Sequence, residues 1–315
     1  MSGFAFVVTG KQVEEVDHDA ALTREAELVW VHLNVTNEEA QHWLDEVAHL
    51  PDYVIEGLTA AETRPRCTAM DDGALINMRG LSDGSVGSDL LASVRLFARK
   101  GRVISVTRFP LKALEAVRAE VGKGKVADPG DLIAAFATAI TAGLDPVVAK
   151  LGDELDDCES ELDARKAFDL RRGVNRVRFE AIAYRRFLFP QRVAIEELAG
   201  LDADWLEADD RLHLSAAADR AARMAEEVES IRERAGLMHE TLTDLRSELI
   251  DQRSLVIAIA AMVFLPLTFL TGLYGMNVEG LWFAHEPWAF DAIVGLCVLI
   301  AASVAGYFIR RHWTR

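Results

Sequence analysis

Near its C-terminus the chain reads Leu255-Val-Ile-Ala-Ile-Ala-Ala-Met-Val-Phe-Leu-Pro-Leu-Thr-Phe-Leu-Thr-Gly-Leu-Tyr-Gly-Met-Asn277, without a charged residue. A helix needs about 20 mostly apolar residues to cross a bilayer, so this segment is long enough to span one. No proline interrupts the chain between residue 212 and Pro266. The sequence therefore predicts one continuous helix roughly 90 Å long. Its first part is a stalk over residues 212–254, and its second part is a transmembrane helix over residues 255–277.

A second apolar run of spanning length covers residues 289–309. The loop before it, residues 278–288, contains no Lys or Arg, whereas the tail at residues 310–315 contains three Arg. Segments on the cytoplasmic side of membrane helices are enriched in Lys and Arg. We therefore expect the tail and the N-terminal part of the chain in the cytoplasm and the loop outside. The N-terminus lacks the pattern of a cleaved signal peptide, which agrees with this orientation.

The composition argues against several classes of protein. A formal net charge of −16 argues against nucleic acid as a partner. The three cysteines are far apart and form no CxxC pair, which is typical of a reducing compartment. The sequence shows no phosphate-binding loop, no Ser/His/Asp constellation and no carboxylate pair tied to a cleft. We therefore expect neither an enzyme nor a resident cofactor.

Residues 1–110 mix strand and helix patterns and predict a cytoplasmic α/β (α+β) domain. A helix is predicted from Asn37, as its N-cap, to Val47. Lys100-Gly101 separates the last two strands and is typical of a tight hairpin turn. The predicted strands are Phe4–Val8, Leu28–Leu33, Cys67–Met70, Ala74–Arg79, Val94–Arg99 and Arg102–Thr107.

Residues 111–211 predict a cytoplasmic region of helical hairpins. One short helix covers Leu111–Gly122, and Asp128-Pro129 opens a second, long one. We expect Pro146 to bend or divide the long helix. A third helix is predicted over residues 172–198.

Two sets of acidic or imidazole side chains are candidates for contact with cations. The set in the acidic end of the long helix would hold a regulatory cation, and the set in the outer loop would attract cations by charge. The first set is Asp153, Asp156 and Asp157, and the second is Glu279, His285 and Glu286. A solvated helix face and a solvent-exposed loop explain the same residues without a metal.

One face of the first span carries small and polar residues. They recur at alternating spacings of four and three, which is one stripe of a helix in a left-handed bundle. This stripe consists of Ser254, Ala258, Ala261, Leu265, Thr268 and Gly272. The other faces suit membrane lipid or a second helix. Two helices cannot enclose an aqueous path, so a pore requires several copies that each contribute the stripe. Close helix packing is the alternative, and the stripe alone does not separate the two.

Asn277 closes the outer end of the stripe. A ring of its carboxamides can hydrogen-bond the water shell of a cation, which suits divalent ions that dehydrate reluctantly. Thr268 can form a similar ring further in. A dry hydrophobic gate can be formed by Leu265, Ala261 and the adjacent Ile257.

At Tyr274-Gly275-Met276-Asn277 the sequence resembles the CorA family of divalent-cation transporters, which have two spans and a Gly-Met-Asn signature. The similarity extends back through Met262-Val-Phe-Leu-Pro-Leu-Thr-Phe-Leu-Thr-Gly-Leu and includes the long stalk. The resemblance implies a homopentameric funnel in a bacterial inner membrane, with the stalk helices around the pore. It implies a selectivity filter at the periplasmic mouth, made by Gly275, Met276 and Asn277. It places the pore lining at Asp251, Ser254, Ile257, Ala261, Leu265, Thr268, Gly272 and Asn277. The periodicity alone prefers Ala258 to Ile257.

Two segments resemble the zinc-transporting ZntB branch of that family, namely Pro287-Trp-Ala-Phe290 and Glu62-Thr-Arg-Pro-Arg-Cys67. The loop after Asn277 departs from the Met-Pro-Glu-Leu segment typical of the magnesium branch, although Met276 is usual in that branch. The resemblance thus implies zinc as the transported cation, with uptake linked to protons. A magnesium or cobalt channel of the same family is one alternative. A membrane-anchored structural or signalling protein whose stalks only oligomerise is an alternative from another class.

Overall fold

The computed structural model describes most of the chain, namely residues 3–34, 38–60, 64–84, 90–163, 166–276, 280 and 286–313. The chain divides into two compact units. The first unit comprises residues 1–162 and 169–239, and the second comprises residues 163–168 and 240–315.

Seven strands form one mixed sheet in the first unit: β1 (Gly3–Thr9), β2 (Gln12–Val16), β3 (Leu28–Asn34), β4 (Arg66–Met70), β5 (Gly73–Leu81), β6 (Leu91–Arg99) and β7 (Arg102–Thr107). Their order across the sheet is β2-β1-β3-β7-β6-β5-β4. Neighbouring strands are antiparallel except β3 and β7, which are parallel. Parallel strands need a long crossover. The chain between β3 and β7 supplies it and adds the other three strands at the far edge.

The six predicted strands are confirmed, and so is the hairpin turn between the last two. β6 and β7 pair as far as Arg99 and Arg102, and Gly101 adopts a φ of 67°. That left-handed conformation favours glycine because it has no Cβ. The prediction missed β2, whose residues Gln12–Val16 are mostly polar. As an edge strand, β2 has one paired neighbour and little buried surface, so its sequence carries only a weak apolar signal.

Three short helices cover one face of the sheet. They are α1 (His18–Leu22), α2 (Glu38–His42, continued by a π-helical turn at Trp43–Val47) and α3 (Asp52–Thr59). Trp43, Leu44 and Leu58 from these helices are buried in one apolar cluster with side chains from the strands. The predicted helix is confirmed from Glu38 onward, whereas its N-cap Asn37 lies outside the described residues. The sequence did not predict α1 or α3.

The other face of the sheet holds a buried polar network. Trp30 Nε1–H donates to Ser105 Oγ at 2.8 Å. The His32 ring lies between that Oγ, 2.8 Å from Nδ1, and Thr107 Oγ1, 3.2 Å from Nε2. Burial lowers the pKa of His32 to about 3, and the nearby charge of Arg118 acts in the same direction. His32 is therefore neutral, and its ring nitrogens are satisfied by hydroxyls within the sheet.

Two helices pack on this second face, namely α4 (Lys112–Gly122) and α5 (Pro129–Ser160). The Asp128 side chain caps α5 as predicted, since Oδ1 accepts from the Asp131 backbone N–H at 2.9 Å. Pro146 lies inside α5 but does not divide it. The neighbouring Leu144 and Val148 are buried. Their packing offsets the backbone hydrogen bond that the proline removes.

The remaining helices are α6 (Ala167–Ala199), α7 (Ala208–Tyr274) and α8 (Ala289–Trp313). α7 passes through Pro266 without a break, which confirms the predicted continuous helix. The fold therefore matches the prediction of an N-terminal α/β domain, a long helix and two C-terminal apolar helices, with helix predominating.

Within the described residues, three helices are long and apolar enough to cross a membrane by length and composition: α5, α7 and α8. The sequence predicted only the last two. Half of the most apolar segment of α5 is buried inside the protein, whereas no part of the most apolar segments of α7 and α8 is buried. The hydropathy of α5 is accounted for by its packing on the sheet, while α7 and α8 have no such burial.

Candidate functional site

The predicted stripe lies on the part of α7 that belongs to the second unit, and its side chains are exposed. They are Ser254, Ala258, Ala261, Leu265, Thr268 and Gly272. α8 covers a different face of α7, because the groove between the two helices is lined by Leu267, Thr271 and Tyr274 of α7 and by Phe290 and Cys297 of α8. Within the described residues, the stripe of one copy is thus open to a partner helix, to lipid or to an aqueous path.

Thr268 is the polar side chain in the middle of the stripe. Its Oγ1–H donates to the Phe264 carbonyl at 2.8 Å. Because the proton is committed to its own helix, the oxygen keeps its lone pairs for a cation or for a water molecule. Two residues earlier, Pro266 has no N–H to give to the Met262 carbonyl, so α7 has a weak point at this level. The middle of the span therefore combines an acceptor oxygen with a place to bend.

Two further pore positions implied by the family resemblance, Asp251 and Ile257, are also exposed on α7. Successive helix residues point about 100° apart, so Ile257 and Ala258 cannot both occupy the centre of the stripe. Both side chains are exposed.

The signature begins directly after the end of α7. The Gly275 N–H donates to the Thr271 carbonyl at 2.9 Å, and a Cβ at this position would lie 3.0 Å from that same oxygen. Glycine therefore suits the close turn that leads into Met276. Asn277, Glu279 and His285 lie outside the described residues. Glu286 is described, and its side chain is exposed directly before α8.

The predicted cation site at Asp153, Asp156 and Asp157 has no support in the described part of the chain, where their carboxylates do not gather into a metal-holding group. Arg234 of α7 instead donates to Asp156 Oδ1 at 2.5 Å and to Glu159 Oε2 at 2.7 Å. Of the three predicted residues, Asp156 is thus paired with an arginine.

Carboxylates do meet at another place, which the sequence did not predict. Oxygens of Asp128, Asp131 and Asp210 lie within 4.8 Å of one another. Asp128 and Asp210 each accept a backbone N–H at a helix N-terminus, and Asp210 Oδ2 accepts that of Glu207 at 2.8 Å. Burial, together with the charges of the other two aspartates, raises the pKa of Asp210 to about 6. The cluster therefore lies where the N-termini of α5 and α7 meet, and each helix start is capped by one of its carboxylates.

We expect Asp210→Asn to stabilise the folded chain by roughly 1–2 kcal/mol at pH 7.5. The carboxyl has a raised pKa in the folded state, so its contribution to stability is lost as the pH rises through about 6. Asparagine removes the charge, while its amide oxygen still accepts from Glu207. Below about pH 3.8, the ordinary pKa, the wild-type group is protonated in both states and the gain should vanish. Denaturant unfolding at pH 7.5 and pH 3.5 measures the difference. A variant less stable than wild type at both values would contradict this account.

Comparison with known proteins identifies the family to which the chain belongs. The family model described as CorA-like Mg2+ transporter protein matches residues 25–311. The chain therefore belongs to the CorA-like transporter family. It is a membrane transporter of divalent metal cations and not an enzyme.

Individual relatives are more specific. A zinc transport protein ZntB from Cronobacter sakazakii is 30% identical over 304 residues, which cover 96% of this chain and 92% of the relative. Another from Pectobacterium carotovorum subsp. carotovorum is 29% identical over 286 residues, which cover 90% and 87%.

Solved structures show the same fold. The full-length CmaX protein is 27% identical with a TM-score of 0.80, covering 99% of this chain and 98% of that chain. The CorA magnesium transporter from Methanocaldococcus jannaschii has a TM-score of 0.81 at 16% identity and covers 98% of each chain. At that identity the second likeness concerns the fold alone.

Proposed function

We propose that the chain is a zinc transporter of the bacterial inner membrane, with identical copies arranged around the stripe of α7. One observation carries the proposal: α7 runs unbroken from a charged stalk into an uncharged span, on which α8 leaves the stripe uncovered. One copy has only two spans, so an aqueous path needs further copies around an axis. The family resemblance supports five copies, and the arginines of the tail favour a cytoplasmic position for both termini.

The residues of the path take separate roles in this proposal. Gly275, Met276 and Asn277 form the outer mouth, where the carboxamide contacts the water shell of the cation. Thr268 offers its hydroxyl oxygen in mid-span. A hydrophobic gate is formed by Leu265 with Ala261 and Ile257, and the outer-loop side chains of Glu279, His285 and Glu286 attract cations by charge.

Zinc is the proposed cation because the curated relatives are zinc transport proteins and because the loop after the signature resembles that branch. The same resemblance supports proton-linked uptake. A magnesium or cobalt channel is the second candidate. It is favoured by the description of the family model and by Met276.

We expect purified protein in proteoliposomes to take up zinc, and excess zinc to inhibit magnesium and cobalt uptake more than the reverse. Zinc uptake should also respond to an imposed pH gradient and lose that response when a protonophore is added. Liposomes without protein provide the background. Magnesium or cobalt uptake that excess zinc does not inhibit would favour the second candidate, a magnesium or cobalt channel. Absence of flux for all three ions would leave a structural or signalling role.

A further inference from the structure

The place where α7 begins is packed tightly onto the first turn of α5. Asp210, in the first turn of α7, is 2% exposed. Its Oδ2 lies directly on α5, because a Cβ built on Gly130 would be only 2.0 Å from that oxygen. The carbonyl oxygen of Trp205 lies 2.9 Å from the same Cβ position. The segment that leads into α7 and the first turn of α7 therefore both rest on the start of α5, and we call this contact the junction.

Negative charge accumulates at the junction. Oxygens of Asp128, Asp131 and Asp210 lie within 4.8 Å of one another, and the charge of Glu207 also acts on Asp210. Asp131 Oδ2 accepts the Ala127 backbone N–H at 2.9 Å, so all three carboxylates are held in place by backbone donors. In the described part of the chain, no Lys, Arg or His side chain forms an ion pair with any of the three. Like charges this close repel strongly where water is largely excluded, so the junction is more stable with a proton on the cluster.

We infer that the cluster is a proton-sensitive fastening, which holds the start of α7 on α5 while one carboxyl is protonated and loosens when all are ionised. Burial and the neighbouring aspartates set the pKa of Asp210 at about 6, against an ordinary value of 3.8. The carboxyl thus gives up its proton more readily when the junction opens, and a rise in pH through about 6 favours the open form. Because α7 continues without a break to Tyr274, the fastening acts on the same helix that carries the stripe.

Another group near the start of α7 responds to the same range of pH. His213 Nδ1 lies 3.6 Å from Asp209 Oδ2, and both side chains are exposed. Histidine ordinarily gains its charge as the pH falls from 8 to 5, so this pair also strengthens on acidification. Exposed ion pairs contribute little to stability, so we expect its share to be small. The two groups can be removed separately, which makes His213→Gln a matched control for Asp210→Asn.

Hydrogen–deuterium exchange of the full chain in detergent tests the inference. Mass spectrometry follows a peptide from the first two turns of α7, with the intrinsic effect of pH on exchange divided out. In the wild-type chain these amides should exchange about fourfold faster at pH 7.5 than at pH 5.5, the ratio that pKa values of about 6 and 3.8 produce. His213→Gln should keep that ratio, whereas Asp210→Asn should lose most of it. A wild-type rate that does not change with pH, or a ratio that survives in Asp210→Asn, would overturn the inference.

A divalent cation would also neutralise these carboxylates, and the same experiment distinguishes it from a proton. Zinc or magnesium added at pH 7.5 in place of a chelator should leave the exchange rate of this peptide unchanged. Slower exchange with either ion in the wild-type chain, but not in Asp210→Asn, would show that the cluster binds a metal and would overturn the proton as its ligand. Neither measurement requires ion flux, so the outcome is independent of the proposed function.

Discussion

Zinc uptake is expected to fall about tenfold or more in Asn277→Ala, while the oligomer survives. In the proposed path the carboxamide contributes a hydrogen bond to the water shell of the cation, worth about 1 kcal/mol net. Its loss is repeated in every copy around the axis, and each 1.4 kcal/mol or so changes a binding equilibrium tenfold. Initial rates of zinc uptake in proteoliposomes measure the loss, and chemical crosslinking checks the assembly.

Glu286→Gln is the matched comparison at the same proposed outer end. Its exposed carboxylate acts on cations only through the long-range field, which salt screens within about 10 Å at 0.1 M. We expect a smaller loss of uptake that disappears as ionic strength is raised, whereas the Asn277→Ala defect should persist. Unchanged rate and ion selectivity in Asn277→Ala would remove this side chain from the mechanism.

Trp30→Ala is expected to destabilise the first unit by about 3–5 kcal/mol. Trp30 is fully buried, and its ring makes edge contacts with Phe4 and Phe136 at centroid distances of 4.9 and 5.8 Å. Alanine leaves a cavity and also removes the hydrogen bond from Nε1–H to Ser105 Oγ. Unfolding by denaturant, followed by circular dichroism, measures the change in the full chain.

Trp30→Phe separates the two contributions. Phenylalanine keeps most of the ring contacts and loses the hydrogen bond, so a loss of about 1 kcal/mol is expected. Equal destabilisation by both substitutions would mean that the hydrogen bond to Ser105, rather than the filling of the core, decides the stability of this face of the sheet.

The elements that the sequence predicted share a strong local signal. The apolar runs at β1 and β3 and the turn at Lys100-Gly101 each fix their structure from a few neighbouring residues. β2 was missed because a polar edge strand lacks that signal. The prediction that Pro146 divides the long helix was wrong. The turns on either side of the proline are buried, and this packing keeps α5 in one piece. Such a tertiary effect cannot be read from the periodicity of the sequence.

The candidate sites also differ in whether a local sequence pattern marks them. The stripe on α7 is a periodic pattern, so the sequence alone predicts which residues share a face. The pairing of Arg234 with Asp156 and the meeting of Asp210 with Asp128 join residues far apart in sequence. Only packing brings such residues together. The dense acidic run suggested a cation site or a solvated helix face, and it gave no sign that Arg234 pairs with Asp156.

The most direct test of whether the stripe of α7 lines the ion path is to block zinc uptake with a reagent that reacts with introduced cysteines. Thr268→Cys and Phe269→Cys place a thiol on neighbouring exposed residues that point about 100° apart. Both are made in a chain whose three native cysteines are replaced by serine. A small cationic thiol reagent should stop most zinc uptake through Thr268→Cys and leave Phe269→Cys unaffected. Equal block of both, or block of Phe269→Cys alone, would contradict a path along this stripe.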